Sequence, residues 1–200
     1  APSGREDWLY SIIEDNFKEF GETTITKLNN MYIHKRGTTS SKLMIMSHAD
    51  EVFLMVKEIS KDGFIKFEGF GIDAKSLVSQ EVIIHGRENI SGIVALKYNY
   101  NDKEKNKVSM ENLYIETGLS RERLKDIVGL GDYITLDRKM VRLFNNNVSC
   151  KSIDNRASIF AMYICAEELK NVNSDLGVYF VCSCQEEVGH RGAKMVSYDI

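Results

Sequence analysis

Val178-Tyr179-Phe180-Val181-Cys182-Ser183-Cys184 runs directly into Gln185-Glu186-Glu187-Val188-Gly189. The first seven residues have the aromatic and β-branched content of a buried strand. Two adjacent carboxylates then stand where the strand becomes a turn. Gly189 and Gly192 open a segment, Ala193 to Tyr198, with helical character. In open α/β sheets ligands bind in the crevice at the carboxyl ends of strands. Neighbouring acids at that rim can divide their duties, one holding a metal and the other moving a proton. Taken alone, the pair reads first as a solvated turn, so its meaning depends on what else reaches the same rim.

A second short apolar run, Leu43-Met44-Ile45-Met46, has the pattern of a strand buried on both faces. It ends in Ser47-His48-Ala49-Asp50-Glu51, which again delivers metal-competent side chains at a strand's carboxyl end. A ligating imidazole usually has its other nitrogen held by a carboxylate or carbonyl, and Asp50 is spaced to do this. A lone His at a strand end is also an ordinary structural residue. A third segment, Cys150-Lys151-Ser152-Ile153-Asp154-Asn155-Arg156, precedes a helix traced by Ala157, Phe160, Ala161, Ile164, Cys165, Glu168 and Leu169. Asp154 stands at the expected N-cap, where its oxygen would accept the free N–H groups of the first turn. That helix start belongs to the same rim as His48 and the Glu pair. A mixed set of one imidazole and several carboxylates suits Zn, Co or Mn.

The rest of the catalytic-type texture is conventional. Ser3-Gly4-Arg5-Glu6 fits a capping box. Behind it Trp8, Leu9, Ile12, Ile13, Phe17 and Phe20 recur at helical spacing. Thr24 to Leu28 and Met31 to Lys35, joined at Asn29-Asn30, predict a hairpin. From Val52 to about Asn147 short strand-like runs alternate with turn signals, the pattern of a small β-barrel or sandwich. Within it Ser120 to Val128 reads as a short surface helix, and Asp102 to Lys107 as a solvated loop of mixed charge. His34 and His85 need no functional role. The expected architecture is an α/β domain with a mixed sheet, residues 1–51 and 148–200, carrying an inserted β domain, residues 52–147.

Composition narrows the function classes. Of 200 residues, 43% are hydrophobic and 28% charged, ordinary for a globular chain with a genuine core. Net charge is −3 with Lys and Arg scattered, which gives nucleic acid no footprint. No apolar run approaches a membrane span, and no signal peptide precedes the first helix. Cys150, Cys165, Cys182 and Cys184 lack zinc-ribbon spacing, and Cys182 and Cys184 read as buried reduced thiols on one strand face. A cytoplasmic location is expected.

Three segments together resemble the signatures of the family-42 metallopeptidases. They are Met46-Ser47-His48-Ala49-Asp50-Glu51, Ser152-Ile153-Asp154-Asn155-Arg156 and Gln185-Glu186-Glu187-Val188-Gly189-His190-Arg191-Gly192-Ala193. The family comprises tetrahedral, glutamyl and deblocking aminopeptidases, some labelled endoglucanases. Pro2-Ser3-Gly4 matches its early segment, and the likeness runs from end to end in the same order.

The resemblance implies a zinc-peptidase-like domain with two divalent ions. His48 and Glu187 would be metal ligands, Asp154 would bridge the ions, Asp50 would orient His48, and Glu186 would be the general base. Peptides would be the substrates, the insert would serve oligomerisation or substrate access, and the assembly would be a tetrahedral homo-dodecamer.

This chain departs from the pattern at Ala49, where Met is usual, and at Asn155, where a second Asp is usual. His190 occupies a position usually held by Leu. The family's two further ligands, an Asp and a His, do not occur before Ile200. The chain, which begins at Ala1 without Met, is therefore expected to be the N-terminal part of the peptidase. Alternatives are a catalytically inactive assembly or binding module, and a related metal-dependent deacylase or carboxypeptidase. The endoglucanase label fits poorly, because glycosidases need two opposed carboxylic acids rather than a His/Asp/Glu set.

Overall fold

The structure is a computed structural model that describes residues 1–97 and 107–200. In chain order the elements begin with α1 (Asp7–Phe17), β1 (Glu22–Ile25), β2 (Met31–Lys35) and β3 (Lys42–His48). There follow β4 (Phe53–Ile59), β5 (Ile65–Phe70), α2 (Ala74–Leu77), β6 (Glu81–His85), β7 (Asn89–Leu96) and β8 (Leu113–Glu116). Then come α3 (Arg121–Ile127), β9 (Tyr133–Leu136), β10 (Val141–Arg142) and β11 (Val148–Ser149). The chain closes with α4 (Ile153–Leu169), β12 (Gly177–Ser183) and α5 (Arg191–Asp199). The mixed-charge segment from Asp102 lies outside the described residues up to Asn106. By packing, the chain forms two units, Ala1–Glu51 with Ser152–Ile200, and Val52–Lys151.

In the first unit the sheet order is β1-β2-β12-β3. β12 runs antiparallel to β2 and parallel to β3, which makes the sheet mixed. Strand periodicity sends Val178, Phe180 and Cys182 to one face, where they join Leu9, Ile13 and Phe17 of α1 and Ile159 and Met162 of α4. Phe17 is the hub of this layer, with its ring 5.6 Å from Tyr163, 5.9 Å from Phe20 and 6.2 Å from Phe180. On the opposite face Tyr179 stacks on His34 with ring centres 4.0 Å apart. The parallel register pairs Ser183 with His48, so the two strands end at one level. That register places the two motifs side by side.

The second unit is a closed barrel in the order β4-β5-β8-β7-β6-β9. Leu54, Ile65, Ile84, Ile115 and Ile134 fill its interior, together with Leu124 of α3. Ser120 caps α3, accepting from the Arg123 amide at 3.3 Å. β10 and β11 form a separate two-stranded hairpin, so Val141 to Phe144 is not a barrel strand. The apolar alternation there resembles a barrel strand, yet Val141, Leu143 and Phe144 are all exposed.

Three local expectations are corrected. Among the described strands β3 pairs with β12 alone, and burial on both faces is not seen: Leu43, Met44 and Met46 are exposed and Ile45 packs against the core. A short apolar run does not record how many neighbours its strand will have. Ser3 and Glu6 form no capping box. Glu6 is the N-cap without a side-chain bond to the helix, and both side chains serve partners far along the chain. In α4 the buried residues are Ile159, Met162 and Ala166, whereas Phe160 and Ile164 are exposed. That helix carries apolar residues around most of its circumference, so its sequence leaves the inward phase open.

Phe180 of β12 is fully buried against the helical layer. Phe180→Ala is expected to destabilise the first unit by about 3–5 kcal/mol through lost burial and the cavity left behind. A fall in the urea midpoint at unchanged slope would check this.

Candidate metal centre

His48 is the last residue of β3 and lies 7% exposed at the rim. Its Nδ1 donates to the Asp50 carbonyl oxygen at 3.0 Å, and the Asp50 carboxylate lies 3.5 Å away. The imidazole is thus oriented chiefly by the backbone of Asp50. Nε2 points outward, 3.0 Å from Asp154 Oδ1 and 3.9 Å from Glu186 Oε2. Potential ligand atoms of His48, Glu186 and Glu187 lie within 4.8 Å of one another.

The turn after β12 is built to put both Glu side chains there. Gln185 takes a left-handed φ of 52° and Gly189 a φ of 110°, which reverse the chain sharply. Three consecutive amides of this turn donate to buried carboxylates. Gln185 N–H donates to Glu6 Oε1 at 3.2 Å, Glu186 N–H to Asp50 Oδ1 at 3.0 Å and Glu187 N–H to Asp50 Oδ2 at 3.1 Å. Ser3 adds a hydroxyl donor to Asp50 Oδ2 at 2.5 Å. The fully buried Asn30 bridges the flanks, accepting from Cys184 N–H at 3.0 Å and donating to Gly192 O at 3.1 Å. A Cβ at Gly192 would lie 2.2 Å from Cys184 O, so this close approach requires glycine.

The second motif enters from α4. Asp154 (φ −81°, ψ 107°) and Asn155 (φ −124°, ψ 34°) leave the helical region, so the Asp154 carboxylate turns to His48 instead of capping the helix. Ser47 Oγ donates to Asn155 O at 3.0 Å, tying this bend to β3.

Electrostatics follow from this packing. Burial alone would lower the His48 pKa, but bonds to Asp50 and Asp154 and the charge of Glu186 outweigh it and raise it to about 9. For Asp50, burial acts upward, yet His48, Ser3 and the Glu186 and Glu187 amides together hold it below the usual carboxylate range. Glu187 is shifted upward, first by burial and then by the neighbouring acids, with His48 opposing. Without a metal the centre is a protonated imidazole among carboxylates. A divalent cation would replace that proton and relieve the repulsion among the acids. The donor set, imidazole and carboxylate oxygens with a hydrogen-bonded outer shell, fits such an ion.

The structure therefore brings His48, Asp50, Asp154, Glu186 and Glu187 together. His190 does not stand alone: its Nδ1 lies 2.6 Å from Glu186 Oε1. Ser3, Glu6, Asn30, Glu51 and Ser152 also serve the site, and sequence reasoning gave them no such role. Only the match of the Pro-Ser-Gly segment hinted at Ser3. Cys182 and Cys184 are buried free thiols with pKa values pushed up to about 12 by burial. They take no part in the chemistry of the rim.

The fold and this donor set define a metallopeptidase-type α/β domain. The sequence profile of the M42 glutamyl aminopeptidases matches residues 29–200, and the chain belongs to that family. A lysyl aminopeptidase from Pyrococcus furiosus is 26% identical over 98% of this chain and 58% of its own length. An aminopeptidase structure from the archaeon Desulfurococcus kamchatkensis superposes with a TM-score of 0.90 at 31% identity, covering 100% of this chain and 56% of that one. A TET aminopeptidase structure from a marine-sediment thaumarchaeon gives 0.93 at 25% identity, covering 100% and 59%. The chain thus spans rather more than half the length of these relatives.

Two predictions follow from the wiring of Asp50 and His48. Asp50→Asn places an amide donor against the Glu186 and Glu187 N–H groups. It is expected to weaken Co²⁺ binding by about 10–100-fold and to lower stability by about 1–3 kcal/mol, read by titration and by urea unfolding. In chelator-treated protein the raised His48 pKa contributes stability that is complete below about pH 6.5. That stability is lost as pH rises through about 9. The urea midpoint should fall over that interval, and His48→Gln should flatten the fall.

Proposed function

We propose that the chain carries the metal centre of an aminopeptidase that removes N-terminal residues from short peptides. The observation that carries this reading is the convergence of His48, Asp154, Glu186 and Glu187 at one rim. His48, Asp154 and Glu187 would be this chain's ligands to two divalent ions, drawn from Zn, Co or Mn. When bound, such ions polarise the scissile carbonyl and make water acidic enough to attack near neutral pH.

Glu186 is the general base. Its amide is fixed on Asp50, and its carboxylate spans from His190 at 2.6 Å to 3.9 Å from His48 Nε2. It accepts a proton from the attacking water and returns that proton to the departing amine, so that peptide and water become amine and carboxylic acid. Glu186 and Glu187 both reach the centre from one turn, with their amides resting on the one Asp50 carboxylate. Asp50 acts through His48 and this turn as a positioning residue.

The same reading includes self-association into a homo-oligomer of the tetrahedral type, with the Val52–Lys151 unit serving assembly or substrate access. It also includes a cytoplasmic setting without nucleic-acid or membrane partners. Among the described residues, no helix is long and apolar enough to cross a membrane.

The test compares hydrolysis of free-amine and N-acetylated peptides by the full-length, metal-loaded parent protein. Free-amine peptides should be cleaved and blocked ones spared, with Glu186→Gln lowering turnover by about 10²–10⁴-fold while Co²⁺ affinity changes little. Cleavage of blocked peptides would favour the deacylase reading, and release of C-terminal residues the carboxypeptidase reading. Metal binding without any hydrolysis would favour a binding module.

A further inference from the structure

The chain leaves the first unit at Glu51 and re-enters it at Ser152. The two residues are tied directly, with the Ser152 hydroxyl donating to Glu51 Oε2. Glu51 Oε1 faces the Arg156 guanidinium, 3.6 Å from Nη2. Glu51 itself is only 4% exposed. A buried carboxylate is costly unless paired and hydrogen-bonded, so its partners are strongly constrained in position. Two of them, Ser152 and Arg156, flank Asp154 at equal distance along the chain.

Asp154 needs such support. Its side chain is 85% exposed, so burial of its own does not hold it at His48. Ser152 adopts a left-handed φ of 59°, a conformation that a non-glycine residue keeps only where its surroundings impose it. The Arg156 side chain lies over Trp8 of α1, with its guanidinium carbon 5.7 Å from the ring. That contact gives the far side of the bend a second wall.

We propose that Glu51 is a positioning residue for the metal centre. It does for the Ser152–Arg156 bend what Asp50 does for the Gln185–Glu187 turn. One acid of the Asp50-Glu51 pair anchors the third motif and the other anchors the second, so both lie in register with His48. This rests on the metal centre proposed above, and its experiment includes a readout that needs no metal.

The test compares Glu51→Ala, Glu51→Gln, Ser152→Ala and the double variant Glu51→Ala/Ser152→Ala. Co²⁺ affinity and the visible Co²⁺ spectrum are measured, along with amide hydrogen exchange of the metal-free proteins. Glu51→Ala should weaken Co²⁺ binding about tenfold or more. It should also speed exchange across residues 152–156 while leaving β12 protected. The double variant should be no worse than Glu51→Ala, because both changes cut the same tie. Glu51→Gln, which keeps an acceptor for Ser152, should retain more affinity than Glu51→Ala.

Unchanged exchange in residues 152–156 would overturn the proposal, as would additive effects of the two substitutions. Loosening spread evenly through the sheet would also overturn it, by showing a merely structural role. If Glu51→Ala does not fold, Glu51→Gln and Ser152→Ala carry the same comparison. Wild-type protein that binds no Co²⁺ counts against the metal centre, while hydrogen exchange still settles the role of Glu51.

Discussion

The carboxylate of Asp50 is the constraint on which the first unit turns. It is 1% exposed, and a charge so placed survives only if donors surround it. Its donors come from the N-terminal segment through Ser3 and from the turn after β12 through the Glu186 and Glu187 amides, while His48 of β3 stands 3.5 Å away as a charge partner. Satisfying one buried charge therefore assembles three distant pieces of chain. The rim is rigid because the alternative is an unpaired ion in a nonpolar interior.

The same logic explains why acids that repel each other can share this rim. Glu187 is shifted upward by burial and by its acidic neighbours, and His48 is held protonated by them. The His48 imidazolium offsets part of that repulsion, and the surrounding packing holds the acids around it. Asn30 and the glycine at 192 brace the turn from behind, and the aromatic layer around Phe17 supports β12 from one face. Under the proposed metal-centre reading, a cation that replaced the His48 proton would couple ligand binding to folding.

Much of this was legible in the chain. His48-Ala49-Asp50, Asp154 and Glu186-Glu187 stand out because each joins polar, ligand-type residues to the end of an apolar strand or the start of a helix. A small β-barrel or sandwich is legible because short strands punctuated by turns have few other folds open to them, and only the pairing of β4 with β9 closes it into a barrel. The inward phase of α4 was not legible, since Ile159 and Phe160 are equally apolar and only packing buries one and exposes the other. Nor was the exposure of β3. Ser3 and Glu6 satisfied a helix-capping pattern locally while their side chains found stronger partners in Asp50 and the Gln185 amide.

The amino-acid sequence alone determined the residue types at the rim, their order along the chain, and the alternation of an α/β texture with an inserted β-rich one. These are local properties, written in side-chain chemistry and periodicity. The tertiary structure supplied what connects them: the parallel register of Ser183 with His48, the amides held by Asp50, and the ties of Glu51 to Ser152 and Arg156. Each is a contact across a long stretch of chain, and the Asp50 and Ser152 contacts satisfy buried carboxylates. Neither partner of such a contact identifies the other from its own neighbourhood.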